Sequence, residues 1–547
     1  MSTPYPHLAG RAAGVHPTVA SRRAQDRLLL CLAMAIALGL ALVISLALPK
    51  PTVRTVLEVL GVLIAVVVFF VLMLSTRYTV TVTLLVCYLG LLDGPVKLEV
   101  ANKYASGVRD ILIIAIGLGM LLRLVVKRER VSMPPLSGWV LGFLAVALAQ
   151  GVNPGTHGFL KILGGYRQEL EFVPLFFFAY VLMRSKQRFR QLFLILGVIA
   201  LANGVVGAYQ TRLSPAQLER WGPGYGERIA GEKGSSGKGG GQTGRTFSVE
   251  GVAHNRPPAL GSDSGFGGGV GVLALTGLLA LLTVGRLRRR WPVVLCCLGA
   301  LLGIAASASR TSIVIALVTL LSFTALSLIA GLRVGRPLAA LMVVALLGGG
   351  AGLILVAADG NAIFHRQESL LKLTGTGDSN GREVGDDGKE KHLSEIPRDL
   401  VGAPFGLGLG VSGAVAGFGG HEKVTIESEK VSGGSSYNLL AIEMGAPGLA
   451  LWIGLTLTVI GVGVTRVRRI VDPELRLYLV ALLATYVGFT VQGLSGETLA
   501  VTPAGAYVWF VPGVISYWLL GPGRSAMRRP ASEGSGSALP VPAVAHA

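Results

Sequence analysis

The stretch Gly303–Leu317, "GIAASASRTSIVIAL", decides how the chain is read. Apolar residues flank it on both sides, and Arg310 stands in the middle with no second basic residue beside it. The apolar run reaches back to position 291 and forward to 331. Each arm is long enough to cross the hydrocarbon core of a bilayer, about 30 Å thick. Arg310 therefore marks the boundary between two membrane spans.

Composition extends that reading to the whole chain. Of 547 residues, 51% are hydrophobic and only 14% charged, with mean hydropathy +0.62. A water-soluble surface on a chain this long would need far more charge. Apolar stretches recur at 27–49, 54–75, 78–93, 108–126, 135–152, 168–183, 190–210, 265–285, 291–308, 311–331, 337–358, 437–464, 475–495 and 503–520, about fourteen spans. Their internal Gly and Pro suit packed membrane helices. The first run is long enough to span and lacks a small-residue cleavage site, so no cleavable signal peptide is expected. Cys31, Cys87, Cys296 and Cys297 all fall inside apolar runs and read as small core residues.

The formal charge of +19 is distributed by side. Every second connection is basic: "VKRER", "RSKQRFR", "RLRRR", "GLRVGR" and "TRVRR". Arg22, Arg23 and Arg27 precede the first span, and Arg528 and Arg529 follow the last. The positive-inside rule puts these connections and both termini in the cytoplasm. The basic clusters are short, dispersed and next to membrane helices, so nucleic acid is excluded as a partner. The opposite connections then face outward, and two are long, at about 211–264 and 359–436. The first has a Gly-rich, low-complexity middle; neither has obvious secondary structure. Arg310 lies on this outer side, where no cytoplasmic retention charge is needed. A lone arginine there is a candidate binding group, with snorkelling to lipid phosphates as the competing reading.

Five segments resemble, in order, those of the O-antigen ligase/polymerase superfamily of WaaL and Wzy type. They are "NGVVGAYQ" (Asn203–Gln210), "GRTFSVEG" (Gly244–Gly251), "SASRTSIVIAL" around Arg310, "PRDLVGAPFGLGLG" (Pro397–Gly410) and "SSYNLLAIEMGAPGLALW" (Ser435–Trp452). The resemblance covers about 165–520. It implies an all-α polytopic bundle of GT-C-like, O-antigen ligase type, with 12–14 spans and two long periplasmic loops. A membrane domain at 27–520 would stand between cytoplasmic tails at 1–26 and 521–547. Ligases of this family carry His before the Asn of the last segment. Tyr437 occupies that position here and favours a polymerase, because a phenol with a pKa of about 10 is a poor general base.

The implied substrate is a polyprenyl-pyrophosphate-linked oligosaccharide in the lipid bilayer, transferred to a sugar hydroxyl without cofactor or metal. A chain-length-determining protein and a flippase are the implied protein partners. A planar, permanently charged guanidinium suits a departing pyrophosphate. Arg310, Arg245 and Arg167 are the candidates for holding it. Arg167 is followed by Glu169 and Glu171, so an ion pair is its competing role. Tyr437 and Glu443 are the catalytic candidates, with Asn438, His254 and His421 as further outer-face groups. The "GLGVSG" spacing at Gly408–Gly413 has no βαβ context, which argues against dinucleotide binding. Two alternatives stay open: a ligase that moves finished glycan to lipid A core, and a flippase for lipid-linked sugars. A related enzyme with a protein hydroxyl as acceptor is a third.

Overall fold

The structure is a computed structural model; it describes residues 67–73, 75, 78–100, 107–126, 133–156, 158–225, 246–249, 252–263, 265–284, 290–332, 348, 387–415, 425–426, 429–430 and 434–527. The expected span at 27–49, that at 337–358 apart from residue 348, most of 54–75, and the candidates Arg245 and His421 lie outside the described residues.

The chain is a helical membrane protein. Helix α1 (Tyr78–Cys87) passes through a π-helical turn at Tyr88–Leu92 into α2 (Asp93–Val100). Then come α3 (Gly107–Val126), α4 (Ser137–Gln150), α5 (Phe159–Leu170), α6 (Pro174–Leu182) and α7 (Lys186–Gln210). After the first long loop follow α8 (Phe266–Val284), α9 (Trp291–Ala306) and α10 (Arg310–Ile329). The second long loop contains α11 (Asp387–Gly402), and α12 (Ser436–Arg466), α13 (Pro473–Gln492) and α14 (Ala504–Ile515) close the chain. Among the described residues six helical stretches are long and apolar enough to cross a membrane: Thr79–Glu99, Lys186–Gln210, Phe266–Val284, Arg310–Ile329, Ser436–Arg469 and Pro473–Gln492.

The two long loops are not structureless. The first holds an antiparallel ribbon of β1 (Thr246–Val249) and β2 (Val252–Asn255), and the second holds α11 and a shorter ribbon of β3 (Thr425–Ile426) and β4 (Glu429–Lys430). The run expected as one span at 168–183 is instead two helices joined by a turn. Pro174 lacks the N–H that would bond Leu170's carbonyl, and Val173 donates to that carbonyl at 3.2 Å. The tightened backbone ends α5 and restarts the chain as α6.

The chain divides into two compact units, 1–81 with 114–130, and 82–113 with 131–547. In the first, a side chain at Gly119 would meet the Met73 carbonyl at 2.1 Å, so this helix contact requires glycine. In the second, α9 packs on α7 and α8, α10 on α13, α6 on α14, and α4 on α12. Glycine sets the closest crossing there too. A Cβ at Gly204 on α7 would lie 2.0 Å from the Gly299 carbonyl of α9, and one at Gly271 on α8 would lie 2.4 Å from that of Ala300. Leu84, Val198, Leu317, Leu321 and Leu457 stay exposed, as helices facing lipid require.

Contacts sort the connections of this larger unit into two ends. One gathers the segments around 133–137, 183–190, 330, 466–478 and 516–519, joined by bonds such as Trp518 Nε1 to the Met183 carbonyl and Arg476 Nη1 to the Ala330 carbonyl at 3.0 Å. The other gathers 153–170, 210, 256–265, 307–312, 399–413, 435–445 and 493–504.

Candidate functional site

Arg310 is the first residue of α10, whose N-cap is Ser309; the Ser309 hydroxyl accepts from Ser312 N–H at 3.4 Å. Ser309, Thr311 and Ser312 line a cavity of about 210 Å³. Across it stand Gln492 at the end of α13 and Glu497 in the connection to α14. The positive end of the α10 dipole favours an anion here, while the carboxylates of Asp263 and Glu497 line the same cavity. Gly268 on α8 makes room for this turn: a Cβ there would lie 2.5 Å from Ser312 Oγ and 2.7 Å from Ser307 Oγ.

Sequence reasoning missed a second guanidinium, that of Arg256. It directly follows β2, is half-buried, and has no carboxylate partner among the described residues. Burial, and after it the positive charge of Arg310, holds Arg256 below the ordinary arginine value. The signal available in the sequence was "NRPP": an arginine pinned by two prolines.

The backbone around both arginines is strained. Among the described residues only Ala259 (φ 55°) and Ala308 (φ 50°) have positive φ without being glycine. Each costs roughly 1–2 kcal/mol. One lies three residues after Arg256, the other two before Arg310. The motif "NGVVGAYQ" explains how the first is held. Gln210 Nε2 donates to the Ala259 carbonyl at 3.1 Å, and its Oε1 accepts from Ala259 N–H at 2.8 Å. Asn203, fully buried, accepts from Leu260 N–H at 3.1 Å and donates to the Gly90 carbonyl at 2.9 Å. These amides hold the loop that carries Arg256.

The "PFGLGLG" loop docks where α12 breaks. Gly445 adopts φ 64°, ψ −161°, and Pro447 has no N–H to give the Glu443 carbonyl. Leu407 N–H bonds the Ile442 carbonyl at 2.8 Å, Gly408 N–H bonds that of Glu443 at 3.3 Å, and Ala446 N–H reaches the Pro404 carbonyl at 2.9 Å. Asn438 is buried and structural in this arrangement; its Nδ2 donates to Asp399 Oδ2 at 2.9 Å. Burial raises the Asp399 carboxyl above its ordinary value, against the pull of Arg398 and Asn438. Tyr437 packs toward the end of α13, its hydroxyl 3.4 Å from the Thr490 carbonyl, and is not among the residues lining the cavity.

Glu443 is fully buried, and its Oε1 accepts from Ser412 N–H at 3.1 Å. Behind the cavity it clusters with Glu169 of α5 and Glu497. A Cβ at Gly413 would lie 3.0 Å from the Gln168 amide atoms and 3.2 Å from Glu497 Oε1, so these groups converge on one spot. Burial pushes Glu497 up to about 7. Among the described residues no group of three or more His, Cys, Asp or Glu is arranged to hold a metal ion.

Arg167 pairs with Asp110 Oδ2 at 2.7 Å, on a different helix from the glutamates that follow it in sequence. It borders a buried charge network in which Arg109 bonds Glu171 Oε2 at 2.6 Å and Lys97 bonds Asp93 at 2.6 Å. That network ties α2, α3 and α5 together. His254 stands in β2 opposite Phe247.

A second cavity, of about 80 Å³ and almost wholly apolar, is walled by Leu85, Leu89, Leu196 and Leu273. It shares Phe266, Thr502 and Pro503 with the polar cavity. No family model, curated protein or solved structure matches the chain.

Proposed function

We propose that the chain is a membrane glycosyltransferase of the polysaccharide-polymerase kind. It joins repeat units carried on polyprenyl diphosphate at the outer face of a bacterial inner membrane. One observation carries the reading. A polar cavity at the N-terminus of α10 shares walls with an apolar cavity between helices; Arg310 opens that helix without lining the cavity, and Arg256 feels the charge of Arg310. That arrangement suits an amphipathic ligand with an anionic head. In this reading about fourteen spans place the cavity end outward and both termini in the cytoplasm, and the five ordered sequence segments support the polymerase class.

The chemistry follows from charge. As the acceptor hydroxyl attacks the anomeric carbon, the diphosphate leaves with the bonding pair. Arg310, Arg256 and the N–H groups of α10 hold the charge that develops, already oriented and without reorganisation. Arg245, ahead of the ribbon that ends at Arg256, belongs to the same group in this proposal. A flippase would supply the lipid-linked units, and a chain-length-determining partner would set when transfer stops.

The test is the glycan profile of a deletion strain complemented with Arg310→Ala or Arg256→Ala. Each variant should insert at normal levels and leave single-unit products in place of long chains. Normal chain length in both would refute the site. Polymer that is made but not attached to lipid A core would mark a ligase instead.

A further inference from the structure

The reaction proposed above needs a group that takes the acceptor proton. The sequence offers Tyr437 and Glu443, but neither lines the cavity: Tyr437 packs on the end of α13, and Glu443 is fully enclosed and bonded to Ser412. Glu497 does line it. Its Oε1 faces the same spot at Gly413 as the Gln168 amide. Gln168 is only 4% exposed and does not line the cavity; its amide meets the Glu169 carboxyl and favours its charged form. Of the carboxyls gathered here, Glu169 and Glu443 are enclosed, and Glu497 is the one that reaches the cavity.

We infer that Glu497 is the catalytic base of this cavity, with Gln168, Glu169 and Glu443 the buried groups that position it. The acceptor oxygen forms its bond to the donor's anomeric carbon. The bond from that carbon to the phosphate oxygen breaks, and its electron pair departs with the diphosphate. The hydroxyl proton passes to the Glu497 carboxylate and from there to water.

The inference rests on the glycosyl-transfer reading, so its test measures two things on the purified full-length protein. The first is binding of undecaprenyl diphosphate. The second is transfer with lipid-linked glycan extracted from a strain lacking the protein. Glu497→Gln should bind undecaprenyl diphosphate about as well as the wild type, which also shows that it folds, while transfer falls about hundredfold or more. Glu497→Asp should keep partial transfer. Transfer by Glu497→Gln at near the wild-type rate overturns the assignment of the base and leaves the arginine site standing. Loss of probe binding together with transfer also overturns it, because Glu497 would then serve the fold or the anion site. A wild type that neither binds the probe nor transfers glycan removes the parent reading, and this inference with it.

Discussion

The two ends of the larger unit handle charge in opposite ways. At one end Arg190 and Tyr478 both meet Glu474, Lys186 meets Asp472 at 2.5 Å, Arg466 reaches the Leu519 carbonyl at 3.1 Å, and Arg476 bonds the carbonyls of Ile470 and Ala330. Charge there is consumed by carboxylates and by helix-end carbonyls. At the other end Arg256 has no carboxylate among the described residues, the carboxyls of Glu169, Glu443 and Glu497 are gathered together, and two alanines sit in left-handed conformations. The end that pairs its charges is scaffold. The end that gathers buried carboxyls and backbone strain in one place is where function is to be sought.

The contrast can be broken most forcefully at the arginines. Arg310→Ala and Arg256→Ala should each lower transfer by about 10²–10³-fold, as loss of an oriented charge-stabilising donor does. Chain-length profiles and membrane protein levels check this.

The next effect is of pH. Glu497 must be ionised to accept a proton, and burial has raised it to about 7. Transfer should therefore rise as pH increases through about 7 and fall roughly tenfold per unit below it. Glu497→Gln should lose this acidic limb along with most of its rate. A wild-type profile flat from pH 5 to 8 would contradict the assignment.

A smaller effect should come from Gln210→Leu, which frees the Ala259 loop without touching either charge. It should cost about tenfold in transfer through misplaced Arg256, measured as kcat at saturating lipid-linked glycan. The smallest functional effect should be at the charge-paired end. Glu474→Gln should lower unfolding stability by about 1–3 kcal/mol, while transfer in folded protein stays within about twofold of wild type. A large catalytic loss there would erase the distinction between the ends.

The membrane class and the position of most described helices were legible, because an apolar run and its flanking charges act over local sequence. The place of Arg310 at the start of a helix was legible for the same reason: it interrupts such a run. The carboxyl cluster was not, since Glu169, Glu443 and Glu497 meet only through the packing of α5, α12 and the connection before α14. Arg256 was hidden in a loop whose strand pairing is invisible to periodicity. The break near Pro174 was obscured because the apolar pattern continues across it. Arg167 found its partner in Asp110, on a different helix, where sequence could suggest only its near neighbours.

The interrupted helix α12 makes the second loop part of the membrane domain's own backbone. The carbonyls of Ile442 and Glu443, left bare by Gly445 and Pro447, are closed by amides from residues 407 and 408. Excising that loop would strand these carbonyls at the rim of the lipid. Any attempt to transplant it between proteins, for instance to change which sugar is accepted, must carry the opening turns of α12 along as one cassette.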